Sequence, residues 1–539
     1  MATQGGTLSD GQKRVLATFL SGRPLGSITD GDASAMSNRC AGESFEAVDG
    51  PMWSGWGREA TNSRFQPDPG LTADQVPRLT LRWAFGFPNA ASAYSQPLVA
   101  GGRVFVWSDA TFVYSLDAAS GCVHWSYRAS AGVRTAPSIG PLTADGAGGV
   151  TRFAVYFGDI EANVYALDAE TGELLWTRRA DLHRFARITG APALHAGRLY
   201  VPVASLEESV GGLPEYECCT FRGSVVAYAA GDGRELWKTY TIAAPSQPTR
   251  ITSIGTKLYG PSGGAVWSAP TIDVNRGLLY VTTGDAYSAP ADEATDAVMA
   301  IELASGHVVW VRQLTPNDIW LVGCRGVRQP GDSETCPEEM GPDADFGSSA
   351  SLETFPDGRS LVIAQQKSAL VWALDPDREG EVVWQHRIGS GGPVQWGHAS
   401  DGQVGYFAAP DARFVDDLGG VFALRLGTGE RVWRAAPACE AGSQDCSRTH
   451  LAAVTAIPGA VFSGSADGIL RAYAPVDGRV LWAYDTARSF DTVNGVLAKG
   501  GSFGWPGPTV AGGMVFVNSG YSAIGGNGAG KVLLAFGPE

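Results

Sequence analysis

The feature that most constrains this chain is a tryptophan that keeps returning with a glycine four residues ahead of it. YSLDAASGCVHW, YALDAETGELLW, AYAAGDGRELW, AIELASGHVVW, LDPDREGEVVW, ALRLGTGERVW and AYAPVDGRVLW end at Trp125, Trp176, Trp237, Trp310, Trp384, Trp433 and Trp482. The glycines are Gly121, Gly172, Gly233, Gly306, Gly380, Gly429 and Gly478. In each unit an alternating strand such as NVYALD runs into a turn where glycine supplies a positive φ, then returns as a second strand. A further strand pair stands upstream, as in GAPALHAGRLYVPVAS at 190–205. Four short strands in a period of about 50 residues, without helical periodicity, form the signature of β-propeller blades.

Seven blades are complete in sequence. An eighth is split between GPTVAGGMVFVNSG and GKVLLAF at the C-terminus and LRWAFGF around Trp83. Joining the first strand to the last blade closes the ring and removes free edges. The expectation is an all-β, eight-bladed propeller over residues 50–539. Residues 1–49 form an N-terminal helix and linker. In LSDGQKRVLATFL, Ser9 and Gln12 make a capping box, with Val15, Leu16, Phe19 and Leu20 on one face. The longer intervals between tryptophans contain insertions at 206–223 and 317–347, expected as loops on one face.

Composition narrows the function classes. With 44% apolar and 10% aromatic residues the chain carries a large core and is not disordered. A formal charge of −15 argues against nucleic acid or an anionic membrane as the main partner. No window approaches the roughly 18 apolar residues of a spanning helix. No signal peptide is visible at the start, so the chain is intracellular or its leader has been removed. The eight cysteines favour an oxidising compartment, periplasmic or secreted: their number is even and no CxxC occurs. Cys324–Cys336 and Cys439–Cys446 read as loop staples, and Cys40–Cys122 would tie down the N-terminal segment. Cys218 and Cys219 are adjacent, with Cα atoms about 3.8 Å apart, short of ordinary disulfide spacing.

The repeat AxDxxTGxxxW resembles the tryptophan-docking motif of quinoprotein dehydrogenases, eight-bladed propellers that hold pyrroloquinoline quinone (PQQ). GWGREATNSRFQP, GLTADQVPRLTLRWAFGFP, ECCTFRGSVVAY, LYGPSGGAVWSAPTID, TAIPGAVFSGSADGILRAY and TVNGVLAKGGS are similar to the polyvinyl alcohol dehydrogenases of that superfamily. The N-terminal helix looks like the last helix of a c-type cytochrome domain, although no CxxCH is present to attach haem.

The resemblance implies a site. Trp267 would stack under the quinone, and Asp285, 18 residues on, would stand where relatives place a metal-binding asparagine; as a carboxylate it suits a hard cation. ITGAP at 188–192 and the following Ser205-Leu-Glu-Glu make Thr189 and Ser205 contacts of the cofactor carboxylates. Glu208 becomes the second metal ligand, with Glu207 as its understudy. Relatives place the base directly after a TPxDxW phrase; here LTPNDIWLVGC has Leu321 at that point. GPDADFGSS supplies Asp343 and Asp345 instead, expected in an extended segment with both carboxylates facing the funnel. One would be the base and the other a partner or metal ligand; Asp318 is the alternative base. Lys367, one of six lysines, would stabilise the reduced quinone oxygen. Arg134 and the Gln395-Trp396 pair match carboxylate and ring contacts. Cys218 and Cys219 would cap the ring, as a vicinal disulfide does in relatives.

The reaction so implied is PQQ-dependent oxidation of secondary alcohols, polyvinyl alcohol among them. Calcium or a lanthanide would be the cation, and a cytochrome c the electron acceptor. A quinoprotein for another alcohol or a sugar, and a non-catalytic propeller scaffold, are the alternatives.

Overall fold

In the computed structural model, eight antiparallel sheets, seven of four strands and one of five, account for the repeat. Blades 1 to 7 span residues 98–128, 138–179, 193–240, 271–313, 351–387, 399–435 and 455–485. Blade 8 combines 509–538 with the N-terminal strand Leu79–Gly86, which pairs antiparallel with Val532–Pro538 from Leu79 against Pro538 to Gly86 against Val532. The expected closure therefore forms. The structure describes residues 8–21, 31–42, 45, 52–142, 152–391, 396–411, 418–437, 446–505, 507–521 and 528–539.

The repeat glycine has a second task beyond its turn. Gly172 has φ +76°, and a Cβ there would lie 2.6 Å from the ring of Trp125 in the preceding blade. The same relation joins Gly121 to Trp83, Gly233 to Trp176, Gly306 to Trp237, Gly380 to Trp310, Gly429 to Trp384 and Gly478 to Trp433. Each docking indole thus lies flat on the bare backbone of the next blade's turn. Except at Trp310, its N–H then donates to a carbonyl of that blade, as Trp176 does to Ala230 at 2.9 Å and Trp433 to Pro475 at 2.7 Å. Trp83 is the eighth of the set, donating to Ala118, and Trp482 reaches Leu79, so the chain of indoles runs round the whole ring.

A segment ahead of the first strand closes one end of the axial channel. Residues 53–66 pass from blade to blade. Trp53 pairs with Val99, Ile139 donates to Ser54, Ile272 to Ala60, Leu352 to Thr61, Ser400 to Ser63, and Ala456 to Arg64. Arg64 is wholly buried, with Trp53 and Trp56 against its guanidinium. It donates to Val454 O at 2.7 Å, to Trp56 O and Gln96 Oε1, and to Thr455 Oγ1 at 2.9 Å.

The one α-helix among the described residues is Asp10–Ser21. Its capping box forms as expected: Gln12 N–H donates to Ser9 Oγ at 3.3 Å, and Ser9 N–H to Gln12 Oε1 at 2.8 Å. Val15, Leu16 and Phe19 stay exposed. Among the described residues no helix is long and apolar enough to cross a membrane. Cys40–Cys122, Cys218–Cys219 and Cys324–Cys336 are disulfides. Cys446 is also bridged; Cys439, its expected partner, lies outside the described residues.

Candidate active site in the propeller funnel

The end of the channel opposite the 53–66 plug opens into a cavity of about 260 Å³. Part of its lining comes from one recurring position, the residue three before the proline that introduces a blade's innermost strand. Arg134, Thr189 and Trp267 precede Pro137, Pro192 and Pro270 in this way. Tyr94 before Pro97 and Trp505 before Pro508 occupy the same position and pack into the same axial cluster. Proline ends the loop and starts the strand, so the side chain three earlier is left at the channel mouth.

Trp267, Trp396 and Trp505 make an aromatic floor. Trp267 meets Trp396 edge-on at 5.2 Å, and Trp396 lies 3.7 Å from Trp505. Beneath them a small void separates the floor from Trp56 of the plug. Arg134 lies over Trp505 at 3.8 Å and donates to the Tyr521 hydroxyl at 3.2 Å. Arg187, carried on the short strand that pairs with the end of Arg198–Ser205, is the second cation of this wall. Burial and the neighbouring Arg134 pull Arg187 down to about 10. Nε of both arginines is buried without a hydrogen-bond partner. Thr189 and Ser205 stand beside them.

The opposite wall is acidic. Glu208, Asp285 and Asp345 line it together with Lys367. Burial, reinforced by Asp345, raises Glu208 to about 7. Burial, with Asp345 and Glu208 adding, lifts Asp285 well above the carboxylate range. Oδ2 of Asp285 and Oδ1 of Asp345 are buried without hydrogen-bond partners. Lys367 Nζ is 2.5 Å from Asp343 and 3.5 Å from Asp345. Burial works against its charge, but Asp345 and Asp343 outweigh that and hold the ammonium above its usual range.

Asp343 corrects one expectation. The segment is not extended there: Asp343 has φ +60°, a left-handed conformation uncommon outside glycine. The Asp318 carboxylate accepts the N–H groups of Asp343 at 3.1 Å and Ala344 at 2.7 Å and so holds that bend. The two aspartates therefore do not share one face. Asp345 lines the cavity with Glu208 and Asp285, whereas Asp343, placed among the metal ligands by sequence, grips Lys367 from behind. Burial, then Asp345, raises Asp343 to about 7 against the pull of Lys367. Asp318, the alternative base, is itself buried and holds backbone, not cavity.

The insertions meet over the funnel. Val322 N–H donates to Glu208 O at 3.1 Å, and Gly211 is wedged between Leu321 and the Cys218–Cys219 disulfide. Leu321 is fully buried among these cysteines and those of Cys324–Cys336, which explains why an apolar residue stands where relatives carry aspartate. Glu207 faces away: it accepts from Tyr216 Oη at 2.9 Å and from Phe221 N at 2.8 Å, anchoring the cysteine-bearing loop. Cys218 and Cys219 do not reach the funnel cavity. Cys218 lines a separate space beyond Tyr287. Gln395 lies outside the described residues.

The family profile described as glucose/ethanol/alcohol dehydrogenase β-propeller domain, named PQQ, matches residues 53–322. A polyvinylalcohol dehydrogenase from a Pseudomonas species is 40% identical over 567 aligned residues, covering 99% of this chain and 86% of that protein. The chain belongs to the PQQ-dependent alcohol dehydrogenase family. A polyvinylalcohol dehydrogenase of Sphingopyxis sp. strain 113P3 is 36% identical over 89% of this family member and 74% of its own length. Among solved structures, quinohemoprotein alcohol dehydrogenase ADHIIG of Pseudomonas putida superposes with a TM-score of 0.66 at 19% identity, covering 90% and 80% of the two chains. A europium-containing methanol dehydrogenase does so at 0.62 and 18%, covering 90% and 98%. These two share the fold. The profile of the outer membrane assembly factor BamB also matches, over 367–489 and 417–536.

The cavity suits the family's cofactor. A flat tricarboxylate needs an aromatic face and cationic or hydroxyl donors, and here Trp267, Thr189, Ser205 and two arginines with idle Nε atoms provide them. The idle Oδ2 of Asp285 leaves an acceptor for a cation. Among the described residues no three acidic, histidine or cysteine side chains converge into a metal-holding group by themselves. Arg187, Trp320, Tyr287, Trp505 and Tyr521 belong to this site and were not singled out from sequence. Trp320, Trp396 and Trp505, like Trp267, fall outside the docking repeat, and that signal was available for all four.

Proposed function

We propose that this chain oxidises secondary alcohol groups to ketones with PQQ as cofactor, polyvinyl alcohol being a substrate, and that a cytochrome c takes the electrons. The carrying observation is the two-sided funnel: an aromatic floor, two arginines on one wall, and three carboxylates with Lys367 on the other. The two polyvinylalcohol dehydrogenase relatives support the choice of substrate. The disulfides support a periplasmic or secreted setting.

When bound, PQQ supplies a quinone carbonyl that accepts hydride from the alcohol carbon. This chain's residues do the rest. Trp267 carries the ring, while Arg134, Arg187, Thr189 and Ser205 orient its carboxylates. Glu208 and Asp285 would hold calcium, or a lanthanide, and the cation would supply Lewis acidity at the quinone. Three buried carboxylates with raised pKa values are strained without such a charge and relaxed with it. Asp345, whose Oδ1 makes no hydrogen bond and lies 3.5 Å from Lys367 Nζ, takes the hydroxyl proton. Lys367 stabilises negative charge as it develops. Asp343 positions Lys367.

The test is reconstitution. PQQ and Ca²⁺ added to the cofactor-free protein should bring dye reduction with a secondary alcohol, and absence of PQQ binding under any metal would refute the reading. Asp285→Ala should abolish activity with the fold intact; retained activity would move the cation elsewhere.

A further inference from the structure

Beyond Tyr287 lies a second cavity of about 700 Å³, against about 260 Å³ for the funnel. Its walls come from pieces that are not blades. One is the hairpin Gln247–Ile251 with Lys257–Gly260, and the other is the loop pinned by Cys324–Cys336. The partition between the cavities is one ribbon thick. Ala286 N–H donates to Asp318 O at 3.0 Å, and Trp320 N–H to Ala286 O at 2.9 Å. Along this ribbon Trp320 faces the funnel and its neighbour Ile319 the second cavity, while Tyr287 borders both.

The lining alternates in character. Tyr259, Ile319 and Met340 offer apolar surface, and Thr249, Ser288 and Asn317 offer neutral hydrogen-bonding groups. The charges present are Glu338, Glu339 and Arg250, and the Arg250 guanidinium is already engaged by the Glu334 carbonyl. Such a wall does not suit an anionic chain. It suits a neutral one in which methylene and hydroxyl-bearing carbons alternate. A funnel of about 260 Å³ that also receives a flat cofactor has room for one reacting carbinol, so the remainder of a long substrate must lie outside it. The larger cavity, sharing Tyr287, is the adjoining space of ligand-binding size.

We infer that this second cavity is a chain-holding subsite, which binds the distal units of a neutral polyhydroxylated chain while one carbinol reacts in the funnel. The inference rests on the alcohol-oxidising reading above and adds where the polymer lies.

The test fills the cavity from two independent walls, with Thr249→Trp on the exposed hairpin and Met340→Trp on the disulfide loop. In the PQQ-loaded enzyme both variants should raise KM for a vinyl alcohol oligomer about tenfold with kcat retained, and leave kcat/KM for 2-butanol within about twofold of the parent. Calorimetry on the cofactor-free protein should show the oligomer binding to the parent and about tenfold more weakly to the variants. Equal losses on both alcohols, unchanged KM for the oligomer, or no oligomer binding to the parent would each overturn the subsite. Failure of the parent to oxidise 2-butanol would instead count against the proposed function, and the calorimetric arm still decides the subsite.

Discussion

Lys367 carries most of the electrostatic tension in the funnel. Among the described residues it is the one cation paired with Asp343 and Asp345, and it also lies 5.4 Å from the Trp320 ring. Lys367→Ala should lower kcat by about 10² to 10³ while PQQ still binds, which the quinone absorbance will report. Lys367→Arg should recover little, because a planar fork does not replace a compact ammonium between two carboxylates. The acids predict a pH effect of definite sign. Asp343 rises from 3.8 to about 7 and Glu208 from 4.5 to about 7, both chiefly through burial. The folded chain therefore binds more protons than the unfolded one in this window, and its stability falls as pH climbs from about 4 to 7. The raised Lys367 is charged in both states there and adds no slope. PQQ and Ca²⁺ should thus raise Tm more at pH 7.5 than at pH 5; an equal gain at both would mean these carboxylates are not the ones relieved.

At the level of the blade, the pairing of glycine turn and indole is what a substitution would break. Gly172→Ala adds a methyl 2.6 Å from Trp125 at φ +76°, and should cost about 2 to 5 kcal/mol by denaturant titration. The docking hydrogen bonds are not uniform. Trp310 Nε1 is buried with no partner, whereas Trp384 donates to Leu426 O at 2.7 Å. Trp384→Phe should therefore cost about 1 to 3 kcal/mol more than Trp310→Phe. This part of the fold was legible because each glycine and tryptophan lie four residues apart on one hairpin. Trp267, Asp285, Glu208, Asp345 and Lys367 were legible through the resemblance and meet in one cavity. Asp343 was misplaced because alternation assumes an extended backbone, and a carboxylate 25 positions away, Asp318, bends it. Arg187 and Trp505 were missed although the position before each blade's proline marks Trp505 directly. The second cavity has no linear signature, since its walls meet only after the hairpin and the disulfide loop have packed.

Across the whole molecule, the ring depends on two long-range devices, the plug at 53–66 and the pairing of Leu79–Gly86 with Val532–Pro538. Arg64→Leu leaves Gln96 Oε1, Val454 O and Thr455 Oγ1 without the Arg64 donor that ties the plug to the entries of blades 1 and 7, and should lower Tm by several degrees. Pairing across 450 residues also bears on how the enzyme matures. Blades can fold one after another as they leave the ribosome, but the seam cannot form until residue 538 exists. The funnel draws on residues from Arg134 to Tyr521, so a partial chain lacks Trp396 and Trp505 of its floor and the Tyr521 hydroxyl that holds Arg134. Cofactor capture must then be a single late event, and a truncated or stalled chain holds none of it back from its neighbours.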